Sequence, residues 1–218
     1  MLDQGQIKDI ANFIQQEIVK KNNANKNYNV NLFENLNNGD HYVEYGMSNR
    51  QYTYVEYETG MFAFFEYEEG TMAVSSGFSG CIMAKFRAGN KWYIAHLSND
   101  TQYRWTENWY KFVNNNNVTE YYLFYPAGGN DEFINSIPGG AIPGKNYSAV
   151  GVIDKFNNCY GIFYEGQTFK FGNGIYAEYK WDPFTNSQRV QNGNVPKTSQ
   201  YSTGYRRIKI ESSCCIIL

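Results

Sequence analysis

The chain has little that would let it cross a membrane or enter a secretory route unaided. No stretch of its 218 residues is long and apolar enough to span a bilayer, and Met1-Leu2-Asp3-Gln4 lacks the basic and apolar regions of a secretory signal. A soluble domain is therefore expected. The chain also lacks an excess of charge: a formal net charge of −2 provides no electrostatic footprint for nucleic acid, and none is expected as a partner. Histidine occurs only twice and cysteine four times, without ligand spacing of the zinc kind, so the reading includes no metal and no cofactor. The cysteines do not read as a disulfide framework. Cys214 and Cys215 are adjacent, while Cys81 and Cys159 lie far apart in unlike contexts, so free thiols in a reducing compartment are expected. Alanine and leucine are scarce, which disfavours a helical domain.

What the chain has in abundance is aromatic residues, with 20 Tyr and 15 Phe, and these favour strands. Runs rich in Tyr, Val and Phe recur between Gly, Asn and Asp signals over 42–45, 51–57, 61–67, 71–75, 81–87 and 91–97, and again over 118–125, 147–154, 159–165, 167–171, 174–181 and 205–210. The first six read as successive strands of one antiparallel sheet. Two segments break the pattern. Ile7, Ile10, Ala11, Ile14 and Ile18 form one stripe at helical spacing within residues 4–21, and Trp105, Trp109 and Phe112 suggest a short helix within 101–113. The fold class is thus mainly β with a few helices (α+β): a β-sandwich of mostly antiparallel strands, with an N-terminal amphipathic helix and a short helix after the strand that carries His96. Residues 1–204 read as a single domain and 205–218 as a basic tail. Gly128 to Gly144, rich in Gly and Pro, reads as a loop beside the site mouth, and the Asn-rich stretches read as polar loops.

Chemistry concentrates at Cys81 and His96. The turn signal Arg87-Ala88-Gly89-Asn90-Lys91 lies between them, and a hairpin centred between Ala88 and Gly89 would set Cys81 directly against His96. Opposed residues on one face have Cβ atoms roughly 4.5–5.5 Å apart, close enough for an imidazole to take up a thiol proton. The small residues of Gly77-Phe78-Ser79-Gly80 would leave the sulfur accessible, and the backbone N–H groups of Gly80 and Cys81 are candidate donors to an oxyanion. A bland reading stands beside this one, with Cys81 a small buried hydrophobe and His96 an ordinary strand residue. His41 reads as a surface residue and Cys159 as structural.

Ser79-Gly80-Cys81 followed by Tyr93-Ile94-Ala95-His96 resembles the Leu-Ser-Gly-Cys motif and following His of the cytotoxic necrotizing factor group and Burkholderia lethal factor, which are protein glutamine deamidases; Phe78 stands where the motif has Leu. The similarity to the lethal factor extends to Trp105-Thr106-Glu107-Asn108-Trp109 and to the strand pair at 150–153 and 160–164. The resemblance implies a Cys81 nucleophile, a His96 proton carrier and a third element at Ser75, acting through its backbone carbonyl with its side chain irrelevant. It also implies a toxin or effector acting on a host protein, converting Gln to Glu through a thioester. A translation-initiation DEAD-box helicase and Rho-family GTPases are the two target classes in view. The rivals are a Cys/His protease or transglutaminase and a non-enzymatic, lipid-anchored β-sandwich that binds a partner.

The chain ends in Cys215-Ile216-Ile217-Leu218, a complete Cys-aliphatic-aliphatic-X box whose terminal Leu favours geranylgeranylation by a host prenyltransferase. Cys214 is a candidate for palmitoylation, and Arg206, Arg207 and Lys209 supply the basic residues that a singly lipidated protein needs for stable anchoring. With the resemblance, this points to delivery by a bacterium into a host cytosol and tethering to a host membrane.

Overall fold

The computed structural model describes residues 1–20, 26–27, 42–99, 105–128, 147–165, 174–186 and 202–210. In chain order its elements are α1 (Gln4–Lys20), β1 (Tyr42–Glu44), β2 (Gly46–Ser48), β3 (Tyr52–Val55), β4 (Phe62–Glu66), β5 (Met72–Phe78), β6 (Ile82–Ala88), β7 (Lys91–Leu97), α2 (Trp105–Asn115), β8 (Val118–Phe124), β9 (Tyr147–Ile153), β10 (Cys159–Glu165), β11 (Gly174–Trp181), β12 (Phe184–Thr185) and β13 (Ser202–Ile210). The strands form a six-stranded sheet in the order β1-β4-β7-β6-β8-β12 and a seven-stranded sheet in the order β13-β11-β10-β9-β5-β3-β2. Most pairings are antiparallel, and β1 with β4 and β3 with β5 are parallel. The first strands do not form one sheet in succession, as their spacing suggested; they alternate between the two sheets. The chain crosses from β3 to β4 and from β5 to β6, a path that local strand signals do not encode.

Strand alternation sorts the aromatic and aliphatic side chains into three layers. Val74, Val150, Val152, Tyr160 and Ile162 pack under α1 on the outer face of the seven-stranded sheet. Phe62, Phe64, Ile82, Phe86 and Leu97 pack under Trp109 and Phe112 of α2 on the outer face of the other sheet. Between the sheets lie Ala73, Phe78, Met83, Ile94, Phe124, Ile153 and Phe163. The molecule is therefore a sandwich of two mixed sheets with one helix against each outer face, as expected for both helices.

Local chemistry fixes the ends of the helices. Asp3 Oδ1 accepts the Gln6 amide at 2.7 Å while Gln6 Oε1 accepts the Asp3 amide at 2.8 Å, a reciprocal capping box at the start of α1. Leu2 and Ile7, on either side of that cap, are both buried against the sheet. The buried carboxylate of Glu178 accepts the Leu2 amide at 2.7 Å, tying the N-terminus to β11. At the other helix, Asn116 Nδ2 donates to the Phe112 carbonyl at 2.9 Å and Asn117 takes a φ of 50°, the left-handed stop that Asn tolerates.

Two glycines of the seven-stranded sheet admit close neighbours that a Cβ would displace. A Cβ at Gly161 would collide with the Pro126 carbonyl, and one at Gly151 would lie 2.7 Å from Met83 Sδ. The 204/205 boundary suggested by composition lies inside β13, which pairs with β11 over Ser202–Ile210. The strand expected over 167–171, residues 129–144 of the loop expected over 128–144, His41, Cys214 and Cys215 lie outside the described residues.

Burial also sets the alkaline limit of stability. It raises the phenols of Tyr110, Tyr122, Tyr160 and Tyr164 to about 12, and that of Tyr54 well above its ordinary 10. A folded-state pKa above the unfolded one gives stability that is complete below pH 10 and lost as pH rises toward 12. Lys85 has the opposite sign: burial lowers its ammonium below 10.5, so its contribution grows as pH rises to that value. Circular dichroism followed against pH should therefore show unfolding between pH 10 and 12, coincident with phenolate absorbance and not preceding it.

Candidate functional site

The hairpin that joins β6 and β7 turns at Gly89 and Asn90, with Ala88 paired to Lys91. Gly89 has a φ of 60°, so this is a two-residue turn with Gly at its first central position. A centre between Ala88 and Gly89 would have forced Ala88 into that left-handed conformation, against its Cβ. The turn centre is accordingly one residue, and the register two residues, from the expected one: Met83, not Cys81, stands opposite His96, and Ile82 stands opposite Leu97. Continuing that alternation, Cys81 falls opposite Ser98, on the same face as His96 and diagonal to it. Diagonal neighbours have Cα atoms about 7–8 Å apart and their Cβ atoms somewhat closer, a separation that aromatic and long side chains span.

That shared face is the one turned toward the second sheet. Ser75 on β5 faces back across the space between the sheets, and its Oγ lies 2.9 Å from His96 Nδ1. The resemblance assigned Ser75 through its backbone carbonyl; here its side-chain hydroxyl makes the contact with the imidazole. A β-bulge follows at once. Ser75 pairs with Gly151 and Phe78 with Ala149, so β5 carries one residue more than β9, and Gly77 takes a φ of 84° within it. The extra residue turns Phe78 onto the inner face, where its ring stacks on His96 with centroids 3.9 Å apart and planes 5° from parallel. Tyr57 closes another side at 4.9 Å. The imidazole is thus gripped by one hydroxyl and two rings.

Burial at the couple is deep. His96 and Ser75 have no exposed surface and Cys81 retains 8%. The accessibility expected of the sulfur is not met: Ser79 is exposed and Gly80 partly so, while Cys81 lies in the inner apolar layer with Phe78 and Met83. A Cβ built on Gly80 would meet nothing within 4 Å, so open space adjoins the backbone directly before the thiol. Asn99 Nδ2 donates to the Gly80 carbonyl at 3.1 Å. Phe78, Tyr57 and Asn99 were not singled out from sequence. Gly77 before Phe78 was the available signal for the bulge, whereas Tyr57 and Asn99 reach the site through sheet pairing and a chain crossing that no local pattern marks.

The other buried thiol differs. Cys159 is wholly buried, and burial raises its pKa well above the ordinary value. Lys85, on the same inner face as Met83, is held by Asn157 Oδ1 at 2.9 Å and by the rings of Tyr67 at 4.0 Å and Trp92 at 5.1 Å. Among the described residues, no group of three or more His, Cys, Asp and Glu side chains could hold a metal ion.

Comparison with protein families, with curated proteins and with solved structures returned no match.

The Ser75 hydroxyl can fix both the tilt and the tautomer of the imidazole. If His96 activates Cys81, then Ser75→Ala should slow alkylation of Cys81 by iodoacetamide at neutral pH by about tenfold, with Ser75→Thr retaining most of the rate. Peptide mapping of the alkylated protein measures this directly, and thermal unfolding separates it from the stability lost by removing a buried hydrogen bond, about 1–3 kcal/mol.

Proposed function

We propose that the protein is a Cys/His protein glutamine deamidase, an effector that converts a Gln side chain of a host protein to Glu. The observation that supports this best is the Cys81, His96 and Ser75 line: a thiol and an imidazole on one inner face, with a hydroxyl on the imidazole nitrogen Nδ1. The resemblance of Ser79-Gly80-Cys81 and His96 to the necrotizing factor and lethal factor deamidases supplies the reaction class.

In this reading His96 donates Nδ1–H to Ser75 Oγ, which leaves Nε2 to accept the Cys81 proton. The thiolate attacks the carboxamide carbon, a C–S bond forms, and the carbonyl π pair moves to oxygen. Collapse breaks the C–N bond as the imidazolium passes its proton to the leaving nitrogen, releasing ammonia. Water then attacks the thioester, His96 takes a proton from it, and the C–S bond breaks with its electron pair returning to sulfur. The Gly80 and Cys81 N–H groups are the donors we assign to the oxyanion, and the open space at Gly80 is the side from which the carboxamide arrives. One new negative charge on the target is the product.

The tail is read with this activity. Prenylation at Cys215, with palmitoylation at Cys214 or the basic residues upstream, would tether the enzyme to a host membrane after bacterial delivery. A tethered enzyme favours prenylated Rho-family GTPases as targets, whereas the resemblance to the lethal factor favours a translation-initiation DEAD-box helicase. A second reading has its own support: the depth of Cys81 and His96 suits two packing residues in a non-enzymatic, lipid-anchored β-sandwich that binds a partner.

Mass spectrometry of eukaryotic extract incubated with the protein decides between them. Deamidation adds about one dalton at a Gln, proteolysis cuts the target, and transamidation adds the amine. We expect Gln-to-Glu conversion with the wild type, none with Cys81→Ser, and at least a hundredfold slowing with His96→Ala, the order expected for a lost general base. Conversion that persists with Cys81→Ser rules out the thiol mechanism. Separately, Cys215→Ser should release the protein from membranes in host cells and leave conversion in a soluble extract unchanged; retention on membranes would exclude the lipid anchor.

A further inference from the structure

We infer that Asn99 is a positioning residue that aims the Cys81 N–H at the developing oxyanion, an inference that rests on the deamidase reading and adds a component to it. The Gly80 carbonyl and the Cys81 N–H belong to one planar, trans peptide unit, so they point in opposite directions and turn together. Asn99 Nδ2 donates to the Gly80 carbonyl at 3.1 Å, and this bond sets the rotation of the whole unit. Without such a restraint the Ser79-Gly80-Cys81 connection would hold that orientation weakly, because Gly80 has no Cβ to restrict its φ and ψ and nothing stands within 4 Å of where one would be.

Asn99 is itself held in place. Ser98, one residue earlier, is completely buried and bonds twice to the turn before β4: its amide donates to the Met61 carbonyl at 3.1 Å, and its Oγ accepts the Gly60 amide at 3.1 Å. The Gly80 peptide is therefore referenced, through Asn99 and Ser98, to the strand pair of β4 and β7 that also carries His96. Proton carrier and oxyanion donor share one rigid support. Preorganisation of this kind is effective because the donor need not be reoriented as charge develops on oxygen.

The chemistry supplies a test independent of the protein target. Cys81 attack on p-nitrophenyl acetate forms a C–S bond, pushes the carbonyl pair onto oxygen, and expels p-nitrophenolate with the C–O bonding pair. Attack on iodoacetamide forms a C–S bond and expels iodide, and no oxyanion develops. A residue that aims an oxyanion donor should affect the first reaction and spare the second, whereas a residue that merely supports the fold affects both.

We therefore measure both rates at Cys81 by peptide mass for the wild-type full chain, Asn99→Ala and the near-isosteric Asn99→Asp, which lacks the amide donor, with thermal unfolding to confirm that each variant is folded. Both variants should acylate about tenfold more slowly or worse, the scale of a misaligned donor, while alkylating within about twofold of wild type. Equal effects on the two reactions, or none on either, would overturn the role of Asn99 and leave the thiol mechanism standing. If wild-type Cys81 reacts with neither probe faster than Cys159 does, the deamidase reading fails, and this inference with it.

Discussion

The hydrogen bond between Ser75 Oγ and His96 Nδ1 joins the two sheets within a layer made largely of apolar side chains. A polar pair in such a layer is costly unless each group is satisfied, so the two strands that carry it have to arrive in register. On one side that register comes from the Gly89 turn, which sets His96 on the inner face of β7. On the other it comes from β5, where Ser75 is the last residue in regular pairing before the bulge. The bulge then returns Phe78 to the same face to cover the ring. Backbone geometry at two glycines thus determines the environment of the imidazole.

Much of this was legible in the chain, for identifiable reasons. Both helices were, because stripes such as Ile7, Ile10 and Ile14 have a period that strands cannot imitate. The sandwich was legible from short aromatic runs and turn signals. Placement of Cys81 and His96 on one face survived an error in the turn centre, since moving a two-residue turn by one residue displaces partners by two positions and preserves alternation. A turn longer or shorter by one residue would have separated them onto opposite faces.

What was not legible depends on non-local pairing. The division of the first strands between two sheets, the parallel pairs β1 with β4 and β3 with β5, and the facing of Ser75 and His96 all join segments by crossings, which leave no periodic trace. The depth of the couple was missed for the same reason: small residues before a cysteine report local freedom, while enclosure is set by rings such as Phe78 and Tyr57 that arrive from elsewhere. The two cysteines described, neither in a disulfide, differ in setting. Cys159 lies wholly inside the core, where burial above all penalises its ionisation, whereas Cys81 stands at the start of a strand where the chain passes between sheets and open space begins at Gly80.

The proposed chemistry requires that Cys81 and His96 form a working couple. Native-state alkylation with limiting iodoacetamide, mapped by peptide mass across a range of pH, tests it most directly because it requires no knowledge of the target. Cys81 should react well ahead of Cys159 near neutral pH, and His96→Ala should abolish this lead. A Cys81 that reacts no faster than Cys159, or whose rate is indifferent to the loss of the imidazole, would contradict it.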